Sequence, residues 1–343
     1  MHIGQSNRPA LLDRAEALSG EDAGFARFFK AAILATDRED LERLSPQQFE
    51  AALRQSHARL IEHAGETSTL TATPPASAGE PLVLDIISPD MPFIVDSALA
   101  AVRAAGGTIR MFTHPVVLLE NGEVSEAGGR ALSVLHIHSD PVADVAALTA
   151  ELETTMREVT RAVRDWQPML DRLRRAIEAL EARGAAQQDE ALRFLDWLIE
   201  HNFTFLGMRE YRLEGKDLEP VAESGLGIMR DEALKVLRSG PTYVETTPQH
   251  AAFMASGESL LVTKANVRAR VHRRVHMDYV GIKLFGPDGE ASGELRMVGL
   301  FTAQALATPH TEVPIIRRKI AEVMRKSGVD PLGHDGRALL SAL

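Results

Sequence analysis

The sequence predicts an α+β chain: two antiparallel sheets, each accompanied by its own helices. Three observations carry that expectation. Residues 81–88 form a short apolar run rich in β-branched types, as a buried strand does. The run breaks at Ser88-Pro89-Asp90, and Ile94, Val95, Leu99, Val102 and Ala105 then recur at helical spacing up to a Gly106-Gly107 stop. Far downstream, residues 259–264, 267–276, 279–285 and 294–302 alternate like strands, with Pro287-Asp288-Gly289 as a turn between the last two.

Composition sets the outer limits. The chain has 343 residues, enough for two or three domains with cores of their own. Apolar residues make up 45% and charged residues 25%, as in ordinary globular chains. A formal net charge of -10 argues against nucleic acid as a main partner, because phosphate binding needs a clustered positive surface. There is no cysteine, which excludes disulfides, thiolate metal sites and a cysteine nucleophile, and is compatible with a reducing cytoplasm. Residues 1–9 lack the apolar core of a signal peptide, and no apolar run approaches the roughly 20 residues of a membrane span.

Taken in order, residues 1–66 read as a helical prefix. Phe25, Phe28, Phe29, Ala32 and Leu34 crowd one face, and Ser45-Pro46-Gln47-Gln48 is a helix start followed by Phe49, Leu53, His57 and Leu60 at helix spacing. Residues 67–80, rich in Thr, Pro, Ala and Ser without period, read as a linker. Residues 81–165 hold strand, helix, strand, strand, helix, most of a ferredoxin-like unit. In it His114-Pro115 interrupts the second strand, and Glu120-Asn121-Gly122-Glu123 signals a tight hairpin. Residues 166–201 form a helical connector divided near residues 184–188, with Leu192, Leu195, Leu198 and Ile199 lining one side and Trp166 and Trp197 as core anchors. Residues 202–305 open with an alternating strand bearing Phe203 and Phe205. Gly225-Leu226-Gly227 is placed in a loop and residues 231–237 in a short helix before the antiparallel set. Strand, short helices and antiparallel strands are the general plan of a PAS-like domain. Residues 306–343 read as helices, the last barely begun at Leu343, as in a fragment of a longer protein.

The strand, Asp-x-Pro turn, amphipathic helix and Gly-Gly stop of residues 81–107 resemble the opening of an ACT domain, a small regulatory module. "SPDMPFIVDSALAAVRAAGG…HPVV" is similar to the N-terminal regulatory region of the large bacterial NAD-dependent glutamate dehydrogenases. So are residues 191–213, residues 261–302 and the closing stretch from Val313, several separate segments in the same order. The resemblance implies a non-catalytic regulatory and assembly segment. The parent would be an oxidoreductase of amino-acid metabolism that converts L-glutamate, NAD and water to 2-oxoglutarate, ammonia and NADH. It implies NAD in the parent and none here, a downstream catalytic region of the same chain as partner, a homo-oligomer, and a cytoplasmic location. A free-standing ACT/PAS-type small-molecule sensor is the competing reading.

Candidate chemistry is sparse. Dinucleotide binding needs G-x-G-x-x-G between a strand and a helix, and Gly225-Leu226-Gly227-Ile228-Met229-Arg230 has Arg at its last position. His272 and His276, near Asp278, are four apart, but the alternation around them reads as strand, where that spacing is roughly 13 Å and no ion can be shared. His136 and His138 share a strand face without a visible third ligand and read as solvent-facing or packing residues. Two patterns remain. Asp90, Met91, Pro92 and Phe93, with Asp96 nearby, form the loop at a helix start where backbone amides hold a small-molecule effector. The resemblance sharpens the alternative, because ACT domains often have Gly where this chain has Phe93, which then reads as a plug in the core. Lys264, Arg268, Arg270, Arg273 and Arg274 form a basic cluster suited to an anion or to an acidic patch on another domain.

Overall fold

The computed structural model describes residues 7–63, 65–184, 189–309, 312–318, 320 and 322. The chain divides into two compact units: Met1–Thr160 with Arg270–Arg274, and Arg161–Ala269 with Val275–Leu343.

The first unit opens with four helices, α1 (Arg8–Leu18), α2 (Ala23–Ala35), α3 (Arg38–Leu41) and α4 (Pro46–Ile61). Local chemistry sets their starts. Asp22 accepts a hydrogen bond from the Phe25 amide, and Ser45 and Gln48 close a reciprocal capping box ahead of Pro46. The strands β1 (Thr69–Thr73), β2 (Leu82–Pro89), β3 (Ile109–Thr113), β4 (Val116–Glu120), β5 (Glu123–Ser125) and β6 (Arg130–Ser139) form one antiparallel sheet. Helices α5 (Ile94–Ala104) and α6 (Val145–Arg164) complete the ferredoxin-like order. β6 lies between β2 on one side and the interrupted β3/β4 strand on the other. The β4–β5 hairpin turns on Asn121 and Gly122 at φ 52 and 82, the left-handed pair that a type I′ turn requires.

The segment expected as a linker contains β1, which pairs along its length with β2 from Thr69↔Ile87 to Thr73↔Val83. Its polar, Thr-rich sequence suits an edge strand without showing a period. The helical prefix and this sheet share one core, in which Phe25, Phe28, Phe29, Phe49 and Leu53 meet Ile87, Met111, Leu132 and Val134. Each fully buried Phe or Leu there contributes about 1.5–3 kcal/mol. Leu34, expected on this face, is exposed.

The second unit begins with α7 (Trp166–Glu181) and α8 (Asp189–Trp197), then a π-helical turn Leu198–Asn202 that feeds β7 (Phe203–Glu214). β8 (Asp217–Pro220), β9 (Leu226–Gly227), a 3-10 turn Ile228–Arg230, β10 (Leu237–Ser239), β11 (Thr242–Val244) and α9 (Pro248–Ala255) follow. β12 (Leu260–Arg268), β13 (His276–Phe285), β14 (Ala291–Phe301) and α10 (Ala303–Ala307) close the described part. The sheet order is β12-β13-β14-β7-β8, antiparallel throughout, with β9 beside β7.

Four expectations change here. Residues 231–237 are a turn leading into β10, not a helix. Gly225-Leu226-Gly227 is partly strand: a Cβ on Gly227 would meet the Leu206 carbonyl oxygen at 2.1 Å, so glycine is used for close backbone approach and not for a phosphate. Trp166 is half exposed, while Trp197 packs at the core edge against Phe194 and Phe301. The expected strand 267–276 is interrupted: β12 ends at Arg268, β13 starts at His276, and the intervening loop has His272 at φ 65, which no strand accommodates. The expected division near Gly184 and most of the C-terminal helices lie outside the described residues.

The two faces of this sheet differ. Met208, Val280, Ile282, Leu295 and Met297 pack with Leu170, Leu173, Leu195 and Leu198. The opposite face carries Arg209, Tyr211, Tyr279, Lys283, Glu294 and Arg296, placed together by the register Arg209↔Arg296 and Tyr211↔Glu294, and all are buried. No helix among the described residues is long and apolar enough to cross a membrane.

Candidate functional site

The corner between β2 and α5 is the site that the sequence singles out. Pro89 closes β2, the Asp90 amide still reaches the Ala131 carbonyl oxygen at 3.2 Å, and Phe93 then adopts φ 74, ψ -4 as the residue before α5. That left-handed turn is where glycine is usually needed, and here a phenylalanine bears the strain. Phe93 is half-buried and not the core plug expected, because its backbone turns the ring toward His272, with ring centroids 5.4 Å apart. Met91 Sδ lies 3.9 Å from Thr160 Oγ1. Asp90, Pro92 and Asp96 are exposed.

The segment Arg270–Arg274 belongs to this unit and occupies the same corner. The His272 amide donates to buried Ser97 Oγ at 2.8 Å, and its Nδ1 lies 3.0 Å from Asp96 Oδ2. Val271 is fully buried. Arg270 meets Glu151 at 3.0 Å and Glu158 at 2.9 Å on α6, and Arg274 meets Glu151 at 2.5 Å. Burial works against charge on Glu151, but Arg274 and Arg270 overcome it and hold its carboxyl below the ordinary range.

The basic cluster therefore splits. Arg270, Arg273 and Arg274 sit on this loop, while Lys264 and Arg268 stay on β12, where Lys264 pairs with buried Asp278 at 2.5 Å. His272 and His276 go to different partners, the latter to the Ala265 carbonyl. Among the described residues no group of three or more His, Asp or Glu is gathered to hold a metal ion.

A second polar cluster in this unit went unnoticed in the sequence. Asp85, in the middle of β2, is buried with His136 and His138 of β6. Asp85 Oδ1 accepts from Ser56 Oγ at 2.5 Å and from His136 Nδ1 at 2.7 Å; its other oxygen pairs with Arg59 of α4. His136 Nε2 lies 2.9 Å from His138 Nε2, so one ring donates and the other accepts. Burial, and then His136, push His138 down to about 4. Asp85 is lowered despite its burial, by the His136 hydrogen bond, Ser56 and Arg59. The signal was available: an acid inside an apolar strand must find partners. Both histidines are packing residues, and neither faces solvent.

A ferredoxin-like unit with this β2–α5 corner defines an ACT-type domain, and comparison with known proteins agrees. Residues 28–156 match the family model described as glutamate dehydrogenase, ACT1 domain, and residues 313–343 match glutamate dehydrogenase, helical motif 1. The NAD-specific glutamate dehydrogenase of Halomonas elongata is 33% identical over 282 residues, 75% of this chain and 17% of that protein. The corresponding protein of Pseudomonas aeruginosa is 30% identical over 285 residues (76% and 17%), and that of Mycobacterium tuberculosis 21% over 313 residues (85% and 18%). The chain belongs to the family of large NAD-specific glutamate dehydrogenases, in the region that carries their ACT1 domain. It spans about one sixth of the length of the relatives it matches. The ACT1 match begins inside α2, in keeping with the single core that joins the prefix helices to the sheet.

Proposed function

We propose that this chain works as a non-catalytic regulatory and assembly segment of an NAD-dependent glutamate dehydrogenase. The reaction of the complete enzyme takes L-glutamate, NAD and water to 2-oxoglutarate, ammonia and NADH, with NAD held by a catalytic region outside this segment. The second unit, a six-stranded antiparallel sheet and a separate β10–β11 pair with short helices before β12, is read as PAS-like. Cytoplasmic location and a homo-oligomer complete the proposal.

The observation that carries the regulatory reading is the occupied corner. His272 engages Asp96 and Ser97 and packs its ring at a tilt against Phe93 at the place where an ACT domain would receive a small effector. Arg270 and Arg274 anchor the segment on Glu151 and Glu158. The loop of Asp90, Met91, Pro92, Phe93 and Asp96 is thus proposed as a docking point for the chain's own segment, which an effector would have to displace. The basic residues on that segment are proposed to serve contact and not anion capture. Such an arrangement couples an effector to the segment reciprocally.

The test begins with the size of the native product, detected in source-cell lysate with antibody against this chain. A band several times heavier than 37.4 kDa is expected. The purified chain should produce no NADH from glutamate and NAD. In the complete enzyme, Arg270→Ala with Arg274→Ala should alter effector response or sedimentation while glutamate oxidation without effector persists. Turnover by the purified chain would overturn the reading.

A further inference from the structure

On the polar face of the second sheet, two arginines lie directly opposite each other, Arg209 on β7 and Arg296 on β14. Like charges placed so are unfavourable unless each is compensated. Arg296 is compensated: it meets Glu245 and Glu294, each at 3.2 Å, and its guanidinium lies 3.7 Å from the Tyr211 ring centroid. Arg209 is not. It is 2% exposed, its Nη2 donates to the carbonyl oxygens of Met229 and Asp231, and its Nη1 is buried with no hydrogen-bond partner. No carboxylate lies within ion-pair reach of it among the described residues. A buried guanidinium that holds only neutral carbonyls keeps most of its desolvation cost.

Arg209 also lines a cleft of about 690 Å³, together with Val221, Glu223, Met229, Arg230 and Glu232. Arg230, the other cation there, is already neutralised by buried Asp165 through two hydrogen bonds. Glu223 and Glu232 are exposed. We infer that this cleft is an anion site in which a small carboxylate completes Arg209. With Nη2 committed to two carbonyls, the unpartnered Nη1 is the donor left for a carboxylate oxygen, in a charge-assisted hydrogen bond, and Val221 at the cleft wall suits a short aliphatic chain. Glu223 and Glu232 limit affinity and disfavour phosphate, whose second charge they would repel. This site does not depend on the reading of the ACT corner.

The experiment uses the full 343-residue chain. Sodium propionate, sodium butyrate and sodium phosphate are titrated against sodium chloride at matched ionic strength, by calorimetry and by thermal unfolding. Propionate or butyrate should bind with one-to-one stoichiometry and raise the unfolding midpoint, and Arg209→Met should abolish both effects. Should Arg209→Met fail to fold, Glu223→Gln with Glu232→Gln at the exposed positions decides: carboxylate affinity should rise several-fold. Absence of carboxylate binding, binding of phosphate alone, or affinity unchanged in both variants would overturn the assignment.

Discussion

Each unit buries a charged cluster, and the two are built oppositely. In the first unit the central ion is an anion: Asp85 is surrounded by Ser56, His136 and Arg59, and its pKa is lowered although it is buried. In the second the central ion is a cation: Arg296 receives Glu245 and Glu294 and contacts two tyrosines. Burial works against its charge, yet Tyr279, Glu294, Tyr211 and Glu245 hold its pKa above the ordinary value. Tyr279 donates to Glu294 at 2.5 Å, and burial raises its own pKa well above the usual range. The difference teaches what a folded chain requires of charge. Either sign can be buried where opposite charge and hydrogen bonds compensate it, and Arg209 differs in holding only neutral carbonyls.

The largest expected effect breaks the cationic cluster. Arg296→Met leaves fully buried Glu294 without its cation and Glu245 with Lys235 alone, and removal of one partner of a buried pair costs about 3–5 kcal/mol. Both tryptophans, Trp166 and Trp197, lie in the second unit, so their fluorescence in urea should report an earlier transition there. Amide exchange in β6 of the first unit should not change. Equal loosening of both units would mean that the clusters are not independent.

Acid should sharpen the comparison next. His138 and His250, one in each unit, are both held at about 4 against an ordinary 6.5, in each case chiefly by burial. Between those values the unfolded chain binds a proton that the folded chain does not. Stability is therefore complete above pH 6.5 and falls as pH drops toward 4, by about 3 kcal/mol for each histidine. His138→Gln should flatten the acid dependence of β6 exchange alone, and His250→Gln that of the tryptophan transition alone. Asp85 adds a further loss at lower pH, because its stabilisation disappears as pH falls below the ordinary carboxylate value of 3.8. A pH profile left unchanged by either histidine variant would contradict the assignment.

The smallest effect concerns a single hydroxyl donor. Ser56→Ala removes one donor from Asp85 but leaves Arg59 and His136 in place. A hydrogen bond to a charged group contributes about 1.5–3 kcal/mol, so the loss should stay below that of Arg296→Met. Urea unfolding of the first unit, followed by amide exchange in β2, measures it. A loss as large as that of Arg296→Met would show that Asp85 depends on Ser56 more than on Arg59.

Much of this architecture was legible before any coordinates. The Ser45 capping box, the Asn121-Gly122 hairpin, the strand and helix on either side of Pro89 and the turn at Gly289 all follow from turn chemistry, capping and periodicity, which act over a few neighbouring residues. The ferredoxin-like order and the family resemblance followed from those elements in sequence. The corner at Asp90 and Phe93 could be named for the same reason, but its occupant could not. Arg270–Arg274 reach it from far along the chain, and the alternation of residues 267–276 suggested an unbroken strand.

Only the tertiary structure decided which polar residues are buried. Leu295 and Met297 alternate with Glu294 and Arg296 as in any strand with one wet face, yet here Tyr279, Glu245 and α9 turn the polar face into an interior. Asp85 and His136 likewise meet Ser56 and Arg59 only because α4 packs across the sheet. The physical reason is range. Backbone conformation is set by the residue and its near neighbours, while burial, and with it pKa and charge compensation, is set by whatever element covers a face, however distant in sequence.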